Sequence, residues 1–160
     1  MTKLQNLIAY LCVHYPHKSE LSKARLTKLV YLSDWIAALN LGSPLTEIKW
    51  LFNHYGPYVD DVFESAVQRP DIFKITTEPT PYGTASTKLQ YVGHPFEICL
   101  GESDKRVLNF VIERTKSMYF NEFINFVYST YPVANSTRYS ELNLLSLAEE
   151  YKHSKSNETH

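Results

Sequence analysis

The chain has 160 residues and a mass of 18.5 kDa, which suits one domain better than two, because an independent core takes on the order of 100 residues or more. Apolar residues make up 44% of the chain and aromatic residues 14%, with 5 glycines and 8 prolines, so the disordered and collagen-like classes are excluded. The net charge of −1 excludes the class of strongly basic proteins that bind nucleic acid through their overall charge. A local basic patch is still compatible with this composition.

The sequence indicates neither a membrane protein nor a secreted one. It has no uninterrupted apolar run of about 18 residues, the length that a spanning helix needs. The segment from Leu4 to Tyr15 lacks the basic leader and the small-residue cleavage site of a signal peptide. Cys12 and Cys99 could form one bridge, but two reduced thiols are the simpler interpretation. These features predict a cytoplasmic protein.

Two helices are predicted at the N-terminal side of the chain. Apolar residues at helical spacing predict the first over residues 3 to 14. The second begins after a cap at Ser19 or Ser22 and runs to about Asn40, before Gly42. Because apolar side chains cover most of its circumference, we expect this second helix in the middle of the fold. These side chains are Leu26, Leu29, Val30, Leu32, Ile36 and Leu39.

A polar strip interrupts the apolar surface of the second helix. Lys28, Tyr31 and Asp34 stand at positions i, i+3 and i+6, so a cation, a phenol and a carboxylate share one edge. Such groups either bond to loops packed over the helix, which is the commoner case, or line a recognition surface. Both interpretations stay open on the sequence.

The next segment predicts a turn followed by a helix. Residues 45–53 suit either a short helix or an extended segment. In His54-Tyr-Gly-Pro-Tyr58, Gly56 permits a tight turn and Pro57 suits the first position of a helix, which Pro70 ends. The helix is amphipathic through Val59, Val62, Phe63, Ala66 and Val67.

The C-terminal half begins with β-rich runs and returns to helical spacing. We expect a small antiparallel hairpin or a three-stranded sheet from the runs Ile72–Thr77, Lys88–Val92 and Phe96–Leu100. Ser103 and Ser117 are candidate caps of two further helices, Pro132 ends the second of them, and a last helix covers Ser140 to Tyr151.

The predicted fold class is α+β, mainly α, with about six helices and a small antiparallel β-hairpin or three-stranded sheet. We expect a single domain over residues 1–151, because no linker rich in proline, glycine or serine divides the chain. Residues 152–160 contain no apolar side chain and are expected to form a flexible tail.

No pattern in the sequence indicates catalysis, a cofactor or a metal. Cys12, His14 and His17 are metal-type ligands, but no fourth ligand lies near them. Nucleophile and phosphate-loop motifs such as G-x-S-x-G are absent from the sequence. Asp60 and Asp61 stand in a first helical turn, where carboxylates favour the helix dipole. We therefore predict no catalytic, cofactor-binding or metal-binding residue.

Tyrosine is unusually frequent, with 12 in the chain. Tyr55 and Tyr58, which we expect to be exposed beside the turn, could anchor a protein partner, since tyrosine offers a large contact area at low entropy cost. Many tyrosines could equally be half-buried packing residues. Stacking of nucleic-acid bases would need interleaved basic residues, which are sparse, so nucleic acid is not an expected partner.

The order of motifs resembles a known family. The chain carries K-L-x-Y-L-x-D at residues 28–34, G-x-P-L at 42–45 and Y-G-P at 55–57. In this order and spacing they resemble the Panacea domain of SocA-like antitoxins over residues 4 to about 67, while the later elements agree in order only. Family members often carry an aromatic or an alanine-tryptophan pair before the turn. Here Asn53 and His54 stand there and the tryptophan is Trp50, so we expect a different partner-facing surface.

The resemblance implies a mainly helical, non-enzymatic domain that acts as an antitoxin in a toxin-antitoxin system. The first hypothesis is neutralisation of a cognate protein toxin, encoded adjacently, by direct protein-protein interaction, with a homodimer or a toxin-antitoxin hetero-oligomer open. The alternatives are a proteolytic adaptor that delivers the toxin to a protease, and a small antidote enzyme using Asp34, His54 or Tyr55.

Candidate partner-binding or motif residues follow from the resemblance. We expect them on an exposed edge of the second helix and at the turn, with partner choice also depending on the hairpin and the C-terminal helices. They are Lys28, Tyr31, Asp34, Trp50, His54, Tyr55, Gly56, Pro57 and Tyr58.

Overall fold

The structure is a computed structural model that describes residues 1–18, 21–83 and 85–158, with only the backbone at residues 157 and 158. These residues form seven α-helices and five short strands. The helices are α1 (Lys3–His14), α2 (Lys23–Leu41), α3 (Asp61–Val67), α4 (Glu102–Thr115), α5 (Phe120–Ser129), α6 (Tyr131–Ala134) and α7 (Leu144–Glu158). The strands are β1 (Trp50–Asn53), β2 (Gly56–Pro57), β3 (Phe73–Pro79), β4 (Ala85–Tyr91) and β5 (Glu141–Leu142).

Helix α2 lies at the centre of the fold, as its apolar circumference predicts. It packs against α1, α3, α4, α7 and strand β4. The Ser22 hydroxyl accepts a hydrogen bond from the backbone N–H of Arg25, so the cap at Ser22 is confirmed, while Ser19 lies outside the described residues. At its other end Gly42 adopts the left-handed conformation, with φ of 84°, that commonly terminates a helix. Burial on all sides makes α2 the scaffold of the molecule.

The hairpin alternative is confirmed for the β-rich segment. Strands β3 and β4 pair antiparallel, from Phe73 opposite Tyr91 to Pro79 opposite Ala85. The third predicted run is not a strand, because Pro95–Glu97 forms a turn of 3-10 helix. Pro95 has no N–H to donate to a ladder, which explains why a third strand does not continue there.

A second sheet joins two distant parts of the chain in the order β2-β1-β5. The extended alternative for residues 45–53 is therefore confirmed at β1. The prediction that Pro57 begins a helix is wrong, since Pro57 pairs with Phe52 in edge strand β2 and α3 begins only at Asp61. The φ angle of proline would also suit the first turn of a helix. Here the strand pairing across the tight turn is formed instead, and an edge strand tolerates a proline.

The C-terminal helices are present, but several predicted boundaries are wrong. Helix α4 follows Gly101 rather than a cap at Ser103, and α5 follows Tyr119 rather than a cap at Ser117. Pro132 does not end α5, which stops at Ser129; it lies in the first turn of α6, where its missing N–H costs nothing.

The last helix begins later and ends later than the sequence predicts. Residues from Ser140 were expected to be helical, but Glu141–Leu142 pairs with β1 and α7 runs from Leu144 to Glu158. The helix thus covers most of the expected tail, although flexibility of residues 152–160 and the single-domain boundary stay predictions. The fold class itself, α+β and mainly α, is confirmed. Of the described helices, none is both long and apolar enough to cross a bilayer.

The two cysteines are both free, so the interpretation as separate thiols is confirmed, and they differ in accessibility. Cys12 is buried, and burial raises the pKa of its thiol to about 12, whereas Cys99 is exposed. Because the thiolate is the reactive form, we expect a thiol reagent at neutral pH to modify one cysteine in the folded protein and two after denaturation. A Cys99→Ser variant should lose the native reaction, and two reactive thiols in the folded wild type would contradict this prediction.

Candidate functional site

The carboxylate of Asp34 binds the loop that follows α2. Its Oδ1 accepts the backbone N–H of Thr46 at 2.9 Å, and its Oδ2 accepts the indole N–H of Trp50 at 2.9 Å and the Thr46 hydroxyl. Asp34 and Trp50 are both buried. Burial raises the pKa of Asp34, while the hydrogen bonds from Thr46 and Trp50 oppose that rise. Asp34 therefore holds strand β1 against α2, which is the first of the two interpretations of the polar strip.

Tyr31, one turn earlier on α2, connects the helix to the C-terminal half. Its hydroxyl shares a hydrogen bond of 2.8 Å with the Thr130 hydroxyl, at the junction of α5 and α6. Its ring meets the Trp50 ring edge-on, with centroids 5.6 Å apart. Burial raises the pKa of Tyr31, so the phenol stays neutral. Tyr31 and Asp34 thus brace β1 from two sides.

The turn between β1 and β2 consists of His54 and Tyr55, since Asn53 pairs with Gly56. Gly56 has a φ of 100°, a conformation that side-chain-bearing residues rarely adopt. A Cβ at this position would also lie 3.3 Å from Cε2 of Tyr128 and 3.7 Å from Cε of Lys28. Gly56 is therefore required by backbone conformation and by close packing against α2 and α5.

The outer side of this turn carries an exposed cluster, which we call the aromatic surface: His54, Tyr55 and Tyr139. The exposed fraction of Tyr55 is 75% and that of Tyr139 is 64%. The Nδ1 atom of His54 and the Tyr139 hydroxyl lie 3.2 Å apart in a hydrogen bond, and the His54 ring meets the Tyr55 ring edge-on at 4.5 Å. Tyr139 has a φ of 70°, a strained conformation for a tyrosine, and its N–H donates to the carbonyl of Phe52.

Beside the aromatic surface lies a cavity of about 350 Å³, which we call the lysine pocket. Lys28 is 2% exposed, and its Nζ lies 5.9 Å from the centroid of the Tyr58 ring. Burial lowers the pKa of Lys28 to about 8. The lining residues are Ala24, Lys28, Asn53, His54, Tyr55 and Tyr58.

The two buried cationic residues of α2, Arg25 and Lys28, differ in the hydrogen-bond acceptors around them. The Arg25 guanidinium donates to the Tyr15 hydroxyl at 3.0 Å and to the carbonyl of Met118, and stacks on the ring of Phe123. No hydrogen bond or ion pair links the Lys28 ammonium to any of the residues that the structure describes. Because no solvent-excluded side-chain nitrogen of the described residues lacks a hydrogen-bond partner, the Nζ of Lys28 must keep some access to solvent, which the lysine pocket provides. The residue as a whole is buried, and this partial desolvation of its charge is costly to the fold.

The predicted site residues therefore separate into a buried support and an exposed part. The expectation that the polar edge of α2 is exposed is wrong, because Lys28, Tyr31 and Asp34 are each at most 2% exposed. Tyr58 is half-buried rather than exposed, and its hydroxyl donates to Asp60 at 3.2 Å, whereas Tyr55 is exposed as expected. The buried residues are Lys28, Tyr31, Asp34, Trp50, Gly56 and Pro57. Whether any of the nine contacts a partner stays a prediction.

Tyr139 belongs to this site although no sequence motif marks it. It lies 85 positions from His54, and no local pattern pairs the two. The candidate ligands Cys12 and His14 are not brought to the site either, since Cys12 is buried and His14 packs on the Tyr10 ring. Across residues 1–18, 21–83 and 85–158, no three His, Cys, Asp or Glu side chains are grouped so as to hold a metal.

Comparison with known proteins places this fold in a family. Residues 26–132, more than half of the chain, match the family model described as antitoxin SocA-like, Panacea domain. The match starts in α2 and extends into α6, and it includes every residue of the predicted site. The chain therefore belongs to the Panacea-domain family of SocA-like antitoxins, as its motifs predict. No curated protein and no solved structure matched the chain.

We expect Asp34→Ala to destabilise the protein strongly. The change leaves the indole N–H of Trp50 and the donors of Thr46 without acceptors inside the fold, which costs about 3 kcal/mol. The exposed Asp71, whose Oδ2 pairs with Nη2 of Arg69 at 2.9 Å, supplies a matched control. Its alanine variant should lose much less stability, because solvent screens an exposed ion pair. Equal losses of unfolding free energy in urea would contradict the role assigned to Asp34.

We expect Lys28→Met to stabilise the free protein, because methionine keeps the apolar stem and removes the buried charge. Since the pKa falls from an ordinary 10.5 to about 8 on folding, the gain near neutral pH is up to about 3 kcal/mol.

The sign of the pH dependence tests the cause of this gain. Between pH 8 and 10.5 the unfolded chain holds the Lys28 proton and the folded chain does not, so wild-type stability rises with pH and approaches that of the variant. Urea unfolding of both proteins across this window measures the difference, and a difference that is constant with pH would contradict the prediction.

Proposed function

We propose that this protein neutralises a cognate toxin by direct, stoichiometric binding, and that the aromatic surface and the lysine pocket contact the toxin. Membership of an antitoxin family implies a toxin partner in general. The observation that carries the finer proposal is the exposed cluster of His54, Tyr55 and Tyr139 on a turn that the core holds in place.

The chemistry of this surface suits protein recognition. Tyrosine dominates binding hot spots, because its ring offers a large apolar area and a hydrogen-bonding tip with few rotatable bonds. Tyr55 and Tyr139 present both features to solvent, and His54 links them. An interface built on them gains contact area at little cost in side-chain ordering.

The support beneath the turn favours binding as well. Asp34 and Trp50 hold β1, and Gly56 packs against Tyr128, so the turn is fixed before a partner arrives. Preorganisation of this kind reduces the entropy that an association must overcome. The left-handed backbone of Tyr139 adds local strain, which is typical of sites kept for binding rather than for stability.

The test is coexpression of this chain with the protein encoded beside it, scored first by growth and then by copurification on a size-exclusion column without added protease. Direct neutralisation predicts restored growth and a stable complex. Tyr55→Ala should weaken the complex by about thirtyfold or more, the effect of losing a hot-spot residue. Tyr82→Ala is the matched control, since Tyr82 is 91% exposed in the loop between β3 and β4.

Two outcomes would contradict the proposal. Restored growth without a complex would favour the adaptor alternative, particularly if toxin levels fall only when a cellular protease is present. A stable complex that Tyr55→Ala leaves intact would move the binding surface away from the turn. Because Tyr55 is exposed, the variant should fold like the wild type, which thermal unfolding verifies.

A further inference from the structure

We infer that the lysine pocket receives a carboxylate of the toxin, an aspartate or glutamate side chain that forms an ion pair with the Lys28 ammonium. The inference rests on the proposed function and adds to it the chemistry of one contact. It would make Lys28 a recognition residue, although its side chain is buried within the antitoxin.

The burial of Lys28 and its place in the lining of the pocket support this inference. The residue is only 2% exposed, yet it is among the residues lining an open cavity. No other described residue accepts a hydrogen bond from its ammonium. Charges with so little access to water are normally paired in proteins, so an acidic group that entered the cavity from outside the chain would pair with this one.

A comparison of Lys28 with Arg25, the other buried cationic residue of α2, also supports the inference. Both cations belong to α2 and both are 2% exposed, so the fold can evidently supply acceptors to a buried cation. Arg25 receives them from Tyr15 and Met118. Lys28 has instead an aromatic ring, that of Tyr58, and a cavity. A destabilising charge kept in this way is typical of a functional site.

The lining of the pocket selects the ligand. Among the described residues of its lining, Lys28 is the one lysine or arginine, His54 is the other basic side chain, and Tyr55 and Tyr58 supply the phenols. The Lys23 ammonium also lies 5.9 Å from the Tyr58 centroid but contacts the ring of Phe63, outside the pocket. The nearby carboxylate of Asp60 accepts from the Tyr58 hydroxyl.

One ammonium balances the single charge of a carboxylate, whereas a phosphate monoester carries nearly two negative charges at neutral pH, and the described lining has no arginine and no second lysine to balance them. The tyrosine rings would cover the methylene groups of an acidic side chain, and a volume of about 350 Å³ accommodates it. Because the pocket adjoins the aromatic surface, one protein partner could occupy both, which favours a side chain of the toxin over a free acid.

Protonation makes the contact measurable. In the free protein the pKa of Lys28 is about 8, so the ammonium needed for the ion pair disappears above that pH. Wild-type affinity for the toxin should therefore fall by about tenfold between pH 7 and 9. The other titratable groups that line the pocket are His54, Tyr55 and Tyr58, and burial raises the pKa of the Tyr58 phenol, so that phenol stays neutral across this window.

The experiment measures the affinity of purified antitoxin for the adjacently encoded protein at pH 7, 8 and 9, for wild type, Lys28→Met and Lys23→Met. We expect Lys28→Met to weaken binding at pH 7 by about tenfold or more and to abolish the pH dependence, as for loss of a charge-assisted hydrogen bond. Lys23→Met removes an equal charge near Tyr58 and should keep the pH dependence.

A second readout needs no toxin. Nuclear magnetic resonance of isotope-labelled lysine side chains follows the Lys28 amine during titration with N-acetyl-glutamate amide, with the glutamine analogue as the neutral control. We expect the acidic compound to raise the pKa of Lys28 in a saturable way and the neutral one to leave it unchanged.

The outcomes separate this inference from the proposed function. Toxin binding that is equal in wild type and Lys28→Met would overturn the inference while direct neutralisation stands. No toxin binding by the wild type would overturn the proposed function and the assignment to a toxin, and a response to the glutamate compound would then point to a free acid. No response to that compound would overturn carboxylate recognition itself.

Discussion

The hydrogen bonds of one buried carboxylate organise the surface on which the proposed function depends. Asp34 lies in the central helix and binds Thr46 and Trp50, which places β1 on the helix. Strand β1 then pairs with β2 on one side and with β5, from the far end of the chain, on the other. The turn with His54 and Tyr55 and the segment with Tyr139 meet because both flank this strand. The aromatic surface is thus a consequence of a contact that is itself inaccessible to a partner.

Burial affects the polar residues of α2 in different ways, depending on whether each side chain finds a hydrogen-bond partner. The side chains of Tyr31 and Asp34 form hydrogen bonds within the chain, and these bonds stabilise the fold. Lys28 is equally buried and has no such partner in the described part of the chain, so its charge lowers stability instead of adding to it. Residues of one helical edge therefore differ in whether the chain itself satisfies them, and the difference depends on which acceptors the surrounding elements supply.

Elements with a strong local signal were predictable. The apolar circumference of α2 indicated a central helix, and Ser22 and Gly42 marked its ends, because caps act within one turn. Errors arose where local preference competes with distant pairing. Pro57 suits a helix start by its φ, yet it pairs with Phe52, and Glu141–Leu142 has a helical sequence pattern but joins β1. Periodicity does not show which distant segments of the chain pair as strands, so β5 and the second sheet could not be predicted.

The class of the fold and the family can be inferred from the order of residues alone, because helical periodicity and the spacing of short motifs are properties of neighbouring positions. The tertiary structure shows which of those residues are buried and which are exposed to solvent. It buried the edge of α2, which the sequence suggested was exposed, brought Tyr139 to His54 across 85 positions, and left the Lys28 ammonium facing a cavity. The physical reason is that burial and the pairing of charges depend on long-range contacts, which the order of residues along one helix does not specify.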